Sequence, residues 1–354
     1  MTMGLTRCVA LDGIAGAVVD VEADIVKGLP AFAISGLPDA ACRQSADRVK
    51  AAAANLGRSL AQDRITVNLS PAWLPKVGST FDLGIAVAVL AATGALQQRY
   101  IADVVHIGEV GLDGTIRPVR GVLPLVLAAV QAGHREVVVP AANAAEAALV
   151  SGARVVPVTT LAEVIARYEA LADGRPVAEV SVPAGEASRP GPMRDLGEIA
   201  GQTEARFALE VAAAGGHHLF LLGPPGAGKT MLAECMPGVL PRLGEQDAMQ
   251  VTAIHSLLGQ LEDGSMMRRA PFVAPHHDAS LAALVGGGSA AVRPGLISQA
   301  HAGVLFLDES TECPVLGRCI AKQVERFASL GPQGREPPVT WCARTTRPLL
   351  GRGS

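Results

Sequence analysis

Residues 218–236 read HLFLLGPPGAGKTMLAECM, and they predict the architecture of the second half of the chain. The four fixed positions of the pattern G-x-x-x-x-G-K-[ST] are filled by Gly223, Gly228, Lys229 and Thr230. The apolar run Leu219–Leu222 predicts a strand that enters the loop, and a helical segment follows the loop. Glycines let backbone N–H groups turn inward around a phosphate, and the helix N-terminus adds its positive dipole end. The sequence therefore predicts a phosphate-binding loop in an α/β unit.

Each position of this loop has an expected role toward ATP and Mg²⁺. The predicted ATP contacts are Gly223, Pro224, Pro225, Gly226, Ala227, Gly228, Lys229 and Thr230. Lys229 supplies a positive charge to the β- and γ-phosphates, and the hydroxyl of Thr230 is placed to bind Mg²⁺. The alternative is a glycine-rich turn with a chance Lys-Thr pair, which the strand and helix on either side disfavour.

Residues 303–309, GVLFLDE, predict the second half of the nucleotide site, because an apolar strand ends there in two acids. Asp308 is expected to hold Mg²⁺, mainly through water, and Glu309 to polarise the attacking water as a general base. Such a strand is common and by itself is as often structural as functional. The complete phosphate loop upstream favours the functional interpretation.

The composition of the chain excludes several classes of protein. The chain has 354 residues, of which 49% are hydrophobic and 18% charged, and this excludes a disordered or coiled-coil chain. The net charge of −3 gives no global field that attracts nucleic acid or an anionic membrane. None of the six cysteines forms a CxxC pair, the start does not read as a signal peptide, and the longest apolar run, Leu83–Leu96, is too short to span a bilayer. We expect a soluble cytoplasmic protein with no membrane partner, and a buried core helix at Leu83–Leu96.

The chain is predicted to divide into two domains. Residues 1–171 alternate strand-like and alanine-rich helical runs, which predicts an α/β or α+β domain. Residues 172–192 are dense in Pro, Gly, Ser and Glu and predict a linker. Residues 193–309 form the second α/β domain, and residues 310–354 form a tail of different composition.

Several short sequence motifs after the phosphate loop resemble those of a known family. In chain order they are Pro275-His276-His277, Ala283-Leu284-Val285-Gly286-Gly287-Gly288-Ser289, Arg293-Pro294-Gly295 and Ser298-Gln299-Ala300-His301. Together they resemble the AAA+ module of the magnesium-chelatase-like ComM/YifB family. The resemblance implies an ATPase that uses ATP and Mg²⁺ and assembles as a ring, expected to be a hexamer. For the ComM branch it implies a DNA motor that helps branch migration when single strands recombine during natural transformation.

The first domain resembles the family's N-terminal domain, which has the Lon-protease-like (ribosomal S5 domain 2-like) α+β fold. Pro75-Lys76-Val77-Gly78, Gly108-Glu109-Val110-Gly111 and Arg117-Pro118-Val119 carry this resemblance. Lon-type proteolysis needs a serine nucleophile and a lysine that activates it. Alignment of these motifs with the Lon pattern puts Thr80 at the serine position and Leu123 at the lysine position. Leucine cannot accept a proton. We therefore expect no peptidase activity.

After Glu309 the resemblance fades. The AAA+ module should continue with a helix, a strand that carries a sensor residue, an arginine for the neighbouring subunit and a helical lid, and residues 310–354 do not show that series. We predict an incomplete module whose tail is disordered or frameshifted, in a chain truncated at its C-terminal end; a lineage-specific tail is the alternative. ATP binding is then expected, while turnover in this chain stays open.

Two other functions remain open. The first is that of a magnesium-chelatase ATPase subunit, which drives metal insertion into a tetrapyrrole through a partner protein. The Lon-like first domain disfavours this interpretation, because a chelatase subunit is expected to start directly at the AAA+ module. The third possibility is a truncated remnant that binds ATP without useful turnover.

Overall fold

The computed structural model describes residues 3–177, 182, 194–224, 226–261, 264–276, 278–287, 293–307 and, for the backbone alone, 340–345. Pro225, Asp308 and Glu309 lie outside these residues, as does most of the tail. The described residues form two compact units. Residues 3–177 belong to the first unit, together with the described part of Ser256–Met266, and the other described residues from 194 onward belong to the second.

The first unit is built on a mixed seven-stranded sheet with the order β3-β4-β2-β1-β5-β8-β9. Its strands are β1 (Gly4–Asp12), β2 (Ala15–Lys27), β3 (Ala31–Ser35), β4 (Asp63–Ser70), β5 (Val105–His106), β8 (Glu136–Pro140) and β9 (Arg154–Val158), and β6 (Glu109–Val110) and β7 (Ile116–Arg117) form a separate hairpin. The pairs β1-β2 and β2-β4 are antiparallel, whereas β5, β8 and β9 continue from β1 in parallel. The sheet is therefore antiparallel at its centre and parallel at the β9 side.

Six α-helices accompany this sheet. They are α1 (Ala40–Arg43), α2 (Ser45–Asn55), α3 (Asp82–Ala92), α4 (Val122–Gln131), α5 (Ala144–Ala147) and α6 (Leu161–Ala172). All eleven residues of α3 are buried, which confirms the buried core helix predicted from its apolar run, although the helix ends at Ala92. The helix lies so close to β1 that a Cβ at Gly84 would sit 2.2 Å from the Sγ of Cys8. Small residues at this contact let the helix pack directly on the sheet.

From residue 194 onward the chain forms five α-helices and six strands among the described residues. The helices are α7 (Thr203–Gly215), α8 (Lys229–Val239), α9 (Glu245–Leu258), α10 (Leu281–Val285) and α11 (Leu296–Gln299). The strands are β10 (Leu219–Leu222), β11 (Phe272–Val273), β12 (Gly286–Gly287), β13 (Arg293–Pro294), β14 (Val304–Leu307) and β15 (Thr340–Thr345). β12 and β13 pair as a small antiparallel hairpin, and the other four strands form a parallel sheet with the order β10-β15-β14-β11.

All four residues of β14 are buried. Val304 and Phe306 join the cluster that contains Leu232 and Met236 of α8. Leu305 and Leu307 join a second cluster with residues of α10 and α11. A parallel strand covered on both faces is expected to be uniformly apolar, and the sequence VLFL has that composition.

β15 lies within residues 310–354, for which the sequence predicts a disordered or frameshifted tail without the full AAA+ series. Thr340–Thr345 pairs in parallel with both β10 and β14, so it lies between the strand that enters the phosphate loop and the strand that precedes Asp308. A six-residue strand between two others has no amphipathic period of its own, and its pairing partners are more than 30 positions away in the chain. Composition alone therefore could not identify it. The frameshift hypothesis concerns the rest of the tail, which lies outside the described residues.

None of the helices in the described part of the chain combines the length and the apolar character that crossing a membrane requires.

Candidate phosphate-binding site

The loop between β10 and α8 is the candidate site. β10 ends at Leu222 and α8 begins at Lys229, so the predicted strand, loop and helix are confirmed at this place. Gly226 and Gly228 have φ angles of +78° and +82°, and Gly228 is the N-cap of α8. Both angles lie in the left-handed region that glycine adopts without steric cost. The two glycines thus turn the chain from the strand into the helix within a few residues.

Lys229 is the most informative side chain of the loop. It is only 7% exposed, and its Nζ donates hydrogen bonds to the carbonyl oxygens of Gly223 and Pro224, both at 2.6 Å. A buried ammonium group must find hydrogen-bond partners, because burial without them is costly. The loop backbone supplies these partners, so the charge of Lys229 is held inside the turn.

On its Gly223 side the turn is lined by the side chains of Ala227 and Lys229, at ordinary contact distance. A Cβ at Gly223 would lie 3.7 Å from the Cβ of Ala227 and 4.0 Å from the Nζ of Lys229. By contrast, no heavy atom of the described residues lies within 4 Å of a Cβ built at Gly226 or Gly228. The turn is therefore open at these two glycines. This arrangement fits a phosphate group approached by backbone N–H groups and by one ammonium group.

Gln202 is a residue of this site that sequence reasoning missed. It precedes α7, has a φ of +52°, and donates from Nε2 to the carbonyl oxygen of Ala227 at 3.2 Å. The contact fastens the middle of the phosphate loop to the start of another helix. A pair separated by 25 positions leaves no local pattern, so no signal in the sequence could have found it.

The remaining predicted residues are placed as follows. Thr230 is half-buried in the first turn of α8. β14 ends at Leu307, and Asp308 and Glu309 follow it outside the described residues. Because β10, β15 and β14 run parallel, their carboxyl ends lie at one edge of the sheet, where ligands bind in open α/β folds. Leu307 therefore ends β14 at the edge of the sheet at which the phosphate loop begins.

The described residues contain no group of three or more His, Cys, Asp or Glu side chains that could hold a metal ion. His276 is exposed and its Nδ1 lies 3.4 Å from the Oδ2 of Asp278, while His277 is outside the described residues. The Mg²⁺ ligands predicted for the nucleotide site, Thr230 and Asp308, therefore stay a prediction.

The positions that correspond to the Lon nucleophile and base are also visible. Leu123 is fully buried in α4, and its backbone N–H donates to Oε1 of Glu146 at 2.9 Å. Thr80 is half-buried, and its carbonyl oxygen accepts from the N–H of Gly108 at 3.1 Å. The neighbouring hydroxyl of Ser79 donates to the carboxylate of Glu109. A buried leucine at the lysine position leaves no amine there to act as a base.

Two family models match the chain. The model described as "Subunit ChlI of Mg-chelatase" matches residues 21–143, and the model described as "Magnesium chelatase, subunit ChlI" matches residues 195–316. The first match falls in the first unit, and the second contains the phosphate loop, β14, Asp308 and Glu309.

Curated relatives match most of the chain. An uncharacterized protein of Mycobacterium tuberculosis is 50% identical over 315 residues, which is 88% of this chain and 61% of the relative. YifB of Escherichia coli, also uncharacterized, is 39% identical over 88% of this chain and 60% of its own length. The competence protein ComM of Haemophilus influenzae is 39% identical over 88% and 61%. The chain thus spans about three fifths of the length of the curated relatives it matches.

A weaker similarity concerns a protease. Lon protease 1 of Sorangium cellulosum is 29% identical over 185 residues, or 49% of this chain and 23% of the relative. With the family models and the mixed α/β units, this similarity supports the predicted fold class, a Lon-like domain followed by an AAA+ domain.

Proposed function

Because the chain belongs to the ComM/YifB family of magnesium-chelatase-like AAA+ proteins, we propose that it binds ATP and Mg²⁺ at residues 223–230 and uses the nucleotide to act on DNA. The observation that carries the ATP site is the buried ammonium group of Lys229, held by two loop carbonyls next to an open turn. Phosphate oxygens are stronger partners for this group than neutral carbonyls, because both sides of the hydrogen bond are then charged.

Each proposed site residue has one task. Lys229 binds phosphate oxygens, and the backbone N–H groups around Gly226 and Gly228 add neutral donors. Thr230 and Asp308 would hold Mg²⁺, which when bound neutralises charge on the phosphate oxygens. Glu309 accepts a proton from water as a general base. The chain's own groups therefore bind and orient the phosphate groups, and they move a proton at a defined position.

The DNA partner and the ring, expected to be a hexamer, rest on the family. The relative from Haemophilus influenzae carries the name competence protein, and AAA+ proteins generally work as oligomers. A cytoplasmic location follows from the same proposal, since the DNA that such a motor acts on is there. The missing base at the Leu123 position supports a platform role for the Lon-like domain rather than peptide hydrolysis.

A second candidate function is that of an ATPase subunit of a magnesium chelatase. The descriptions of both family models favour it, since each names subunit ChlI. The Lon-like first unit favours the DNA motor instead, because a chelatase subunit is expected to begin at the AAA+ module.

The test is ATP hydrolysis by the purified full chain, measured with forked or single-stranded DNA and, separately, with a porphyrin and chelatase partner subunits. We expect stimulation by DNA alone. Glu309→Gln should bind ATP but lose turnover by about 100-fold or more, as loss of a general base predicts. Glu312→Gln, the matched control, should hydrolyse ATP normally.

Two outcomes would contradict the motor. Stimulation by porphyrin and its partners rather than DNA would identify the chelatase function. ATP binding with no turnover under any condition would identify a remnant that only binds nucleotide.

A further inference from the structure

The first unit has an open cleft that the proposed function does not use. Its volume is about 580 Å³, within the range of ligand-binding sites. It lies at the amino ends of β5, β8 and β9, with its walls formed by the segments before these strands and by the second half of α6. Four chain segments therefore contribute side chains to one concave surface.

The cleft is rich in arginine. Its lining includes Arg99, Arg135, Arg154 and Arg167, against the two carboxylates of Asp103 and Glu136. Four guanidinium groups and two carboxylates leave a formal excess of two positive charges. The whole chain has a net charge of −3, so the formal charge of the cleft is opposite in sign to that of the chain. A local concentration of one sign in a concave surface raises the local concentration of ligands of the opposite sign.

Both carboxylates are already engaged by arginine. The two oxygens of Glu136 meet different partners, Arg167 Nη2 at 3.0 Å and Arg154 Nη1 at 3.4 Å. Asp103 lies 2.6 Å from Nη1 of Arg7, which is not part of the lining. The negative charges of the cleft are therefore neutralised within the protein, one of them by a residue outside it.

Arg99 and Arg135 provide the charge that is left over. Both are exposed, and neither has a carboxylate within 4.0 Å among the residues that the structure describes. The guanidinium carbon of Arg99 lies 4.7 Å from the ring centroid of Tyr100, a cation–π contact that positions it. The Nε of Arg167 is buried and has no hydrogen-bond partner within the described ranges, so the lining is not fully satisfied.

We infer that this cleft binds a ligand with several phosphate groups through Arg99 and Arg135, while Arg154 and Arg167 of the same lining are paired with Glu136. Guanidinium groups match phosphate oxygens in a bidentate geometry, and several of them in one cleft suit a ligand with more than one anionic group. A nucleic acid backbone and a free nucleoside polyphosphate share this chemistry. The site is separate from the phosphate loop and does not depend on the ATPase proposal.

The experiment measures binding to the full chain carrying Lys229→Ala, which removes the phosphate loop as a competing site. The probes are inorganic tripolyphosphate, by calorimetry, and a fluorescent single-stranded oligonucleotide, by anisotropy at several salt concentrations. The cleft variant adds Arg99→Gln and Arg135→Gln. The matched control adds Arg43→Gln and Arg64→Gln, two exposed arginines that do not line the cleft and that change the net charge equally.

The cleft variant should bind at least one probe on the order of tenfold more weakly, while the control should bind both unchanged, because each lost guanidinium removes a charge-assisted contact. If the oligonucleotide is weakened, its salt dependence should also become shallower by about one unit of slope or more, as loss of phosphate contacts requires. An effect on the oligonucleotide alone identifies nucleic acid as the source, and an effect on tripolyphosphate identifies a free polyphosphate.

Equal affinity of the cleft variant and the control for both probes would overturn the site. Both variants change only exposed side chains, and their thermal melting should match. If the double cleft variant melts early, Arg99→Gln alone serves as the second variant, with the same comparison against Arg64→Gln.

Discussion

The backbone conformation of Gly228 sets the turn from the phosphate loop into α8. Its φ of +82° starts α8, and no heavy atom in the described part of the chain would contact a Cβ there. A side chain at this position is opposed by the backbone conformation alone, at a cost of about 1–2 kcal/mol.

We predict that Gly228→Ala lowers ATP affinity by about tenfold or more, since relief of the strained φ moves the N–H groups at the start of α8. Gly174→Ala is the control, because Gly174 also has a positive φ, +67°, and equally open surroundings. Both variants should lose a similar amount of thermal stability, but Gly174→Ala should bind ATP normally in a fluorescent-nucleotide titration. Unchanged ATP affinity in Gly228→Ala would contradict the assigned role of the loop backbone.

His106 is a buried histidine with a structural task. Its Nδ1 lies 2.8 Å from the hydroxyl of Thr6 and its Nε2 lies 2.7 Å from the hydroxyl of Tyr168. Burial lowers the pKa of His106 to about 3. The unfolded chain, whose histidine pKa is about 6.5, therefore takes up a proton at a higher pH than the folded chain does.

The sign of the pH effect follows from this difference. The contribution of His106 to stability is complete above pH 6.5 and is lost as the pH falls from 6.5 toward 3, by up to about 1.4 kcal/mol per pH unit. We predict that His106→Gln makes the stability of the first unit less dependent on pH over this range. Hydrogen exchange of peptides from β5 and α6, corrected for the intrinsic rate, measures this. An equally steep loss of protection in His106→Gln would refute the assignment.

The packing of α3 on β1 shows how closely two elements approach in the first unit. A Cβ at Gly4 would lie 1.9 Å from the carbonyl oxygen of Ala88 and 2.8 Å from the nitrogen of Ala92. These atoms are helix backbone, so they cannot move aside as a flexible side chain could.

We predict that Gly4→Ala destabilises the first unit by about 3 kcal/mol, at the upper end of the cost of overpacking. Gly28→Ala is the control, because its nearest contact would be a side-chain atom of Arg64 at 3.8 Å. The stability of the two variants is compared by urea unfolding, monitored through hydrogen exchange of α3. Equal stability in both would show that α3 and β1 lie farther apart than described.

Elements with a clear local pattern could be predicted, and elements that depend on distant partners could not. The apolar run of α3 and the strand–loop–helix around Lys229 are local signals, and both were located correctly. β1 escaped notice because Thr6 and Arg7 interrupt its apolar character. Thr6 is nevertheless buried, since it donates to backbone carbonyls of residues 101 and 104, and Arg7 faces Asp20 and Asp103.

The same distinction applies to the candidate site. The phosphate loop is contained in eight consecutive residues, so its sequence was sufficient. Gln202 reaches Ala227 across 25 positions, and β15 joins β10 to β14 only in the folded sheet. Neither contact has a sequence period, so neither could be predicted from the sequence.

At the scale of the whole molecule, each of the two units has its own proposed phosphate site. The second unit holds Lys229 within a turn at the end of a strand, whereas the cleft of the first unit relies on exposed arginines. The ATP site is the premise on which the motor proposal depends.

Calorimetric titration of the full chain with ATP and Mg²⁺ examines that premise without requiring turnover, DNA or a partner. We predict saturable binding in the wild type and in Lys27→Ala, an exposed-lysine control, and a loss of affinity of at least about tenfold in Lys229→Ala. No ATP binding by folded wild-type protein, or equal affinity in Lys229→Ala and Lys27→Ala, would contradict it.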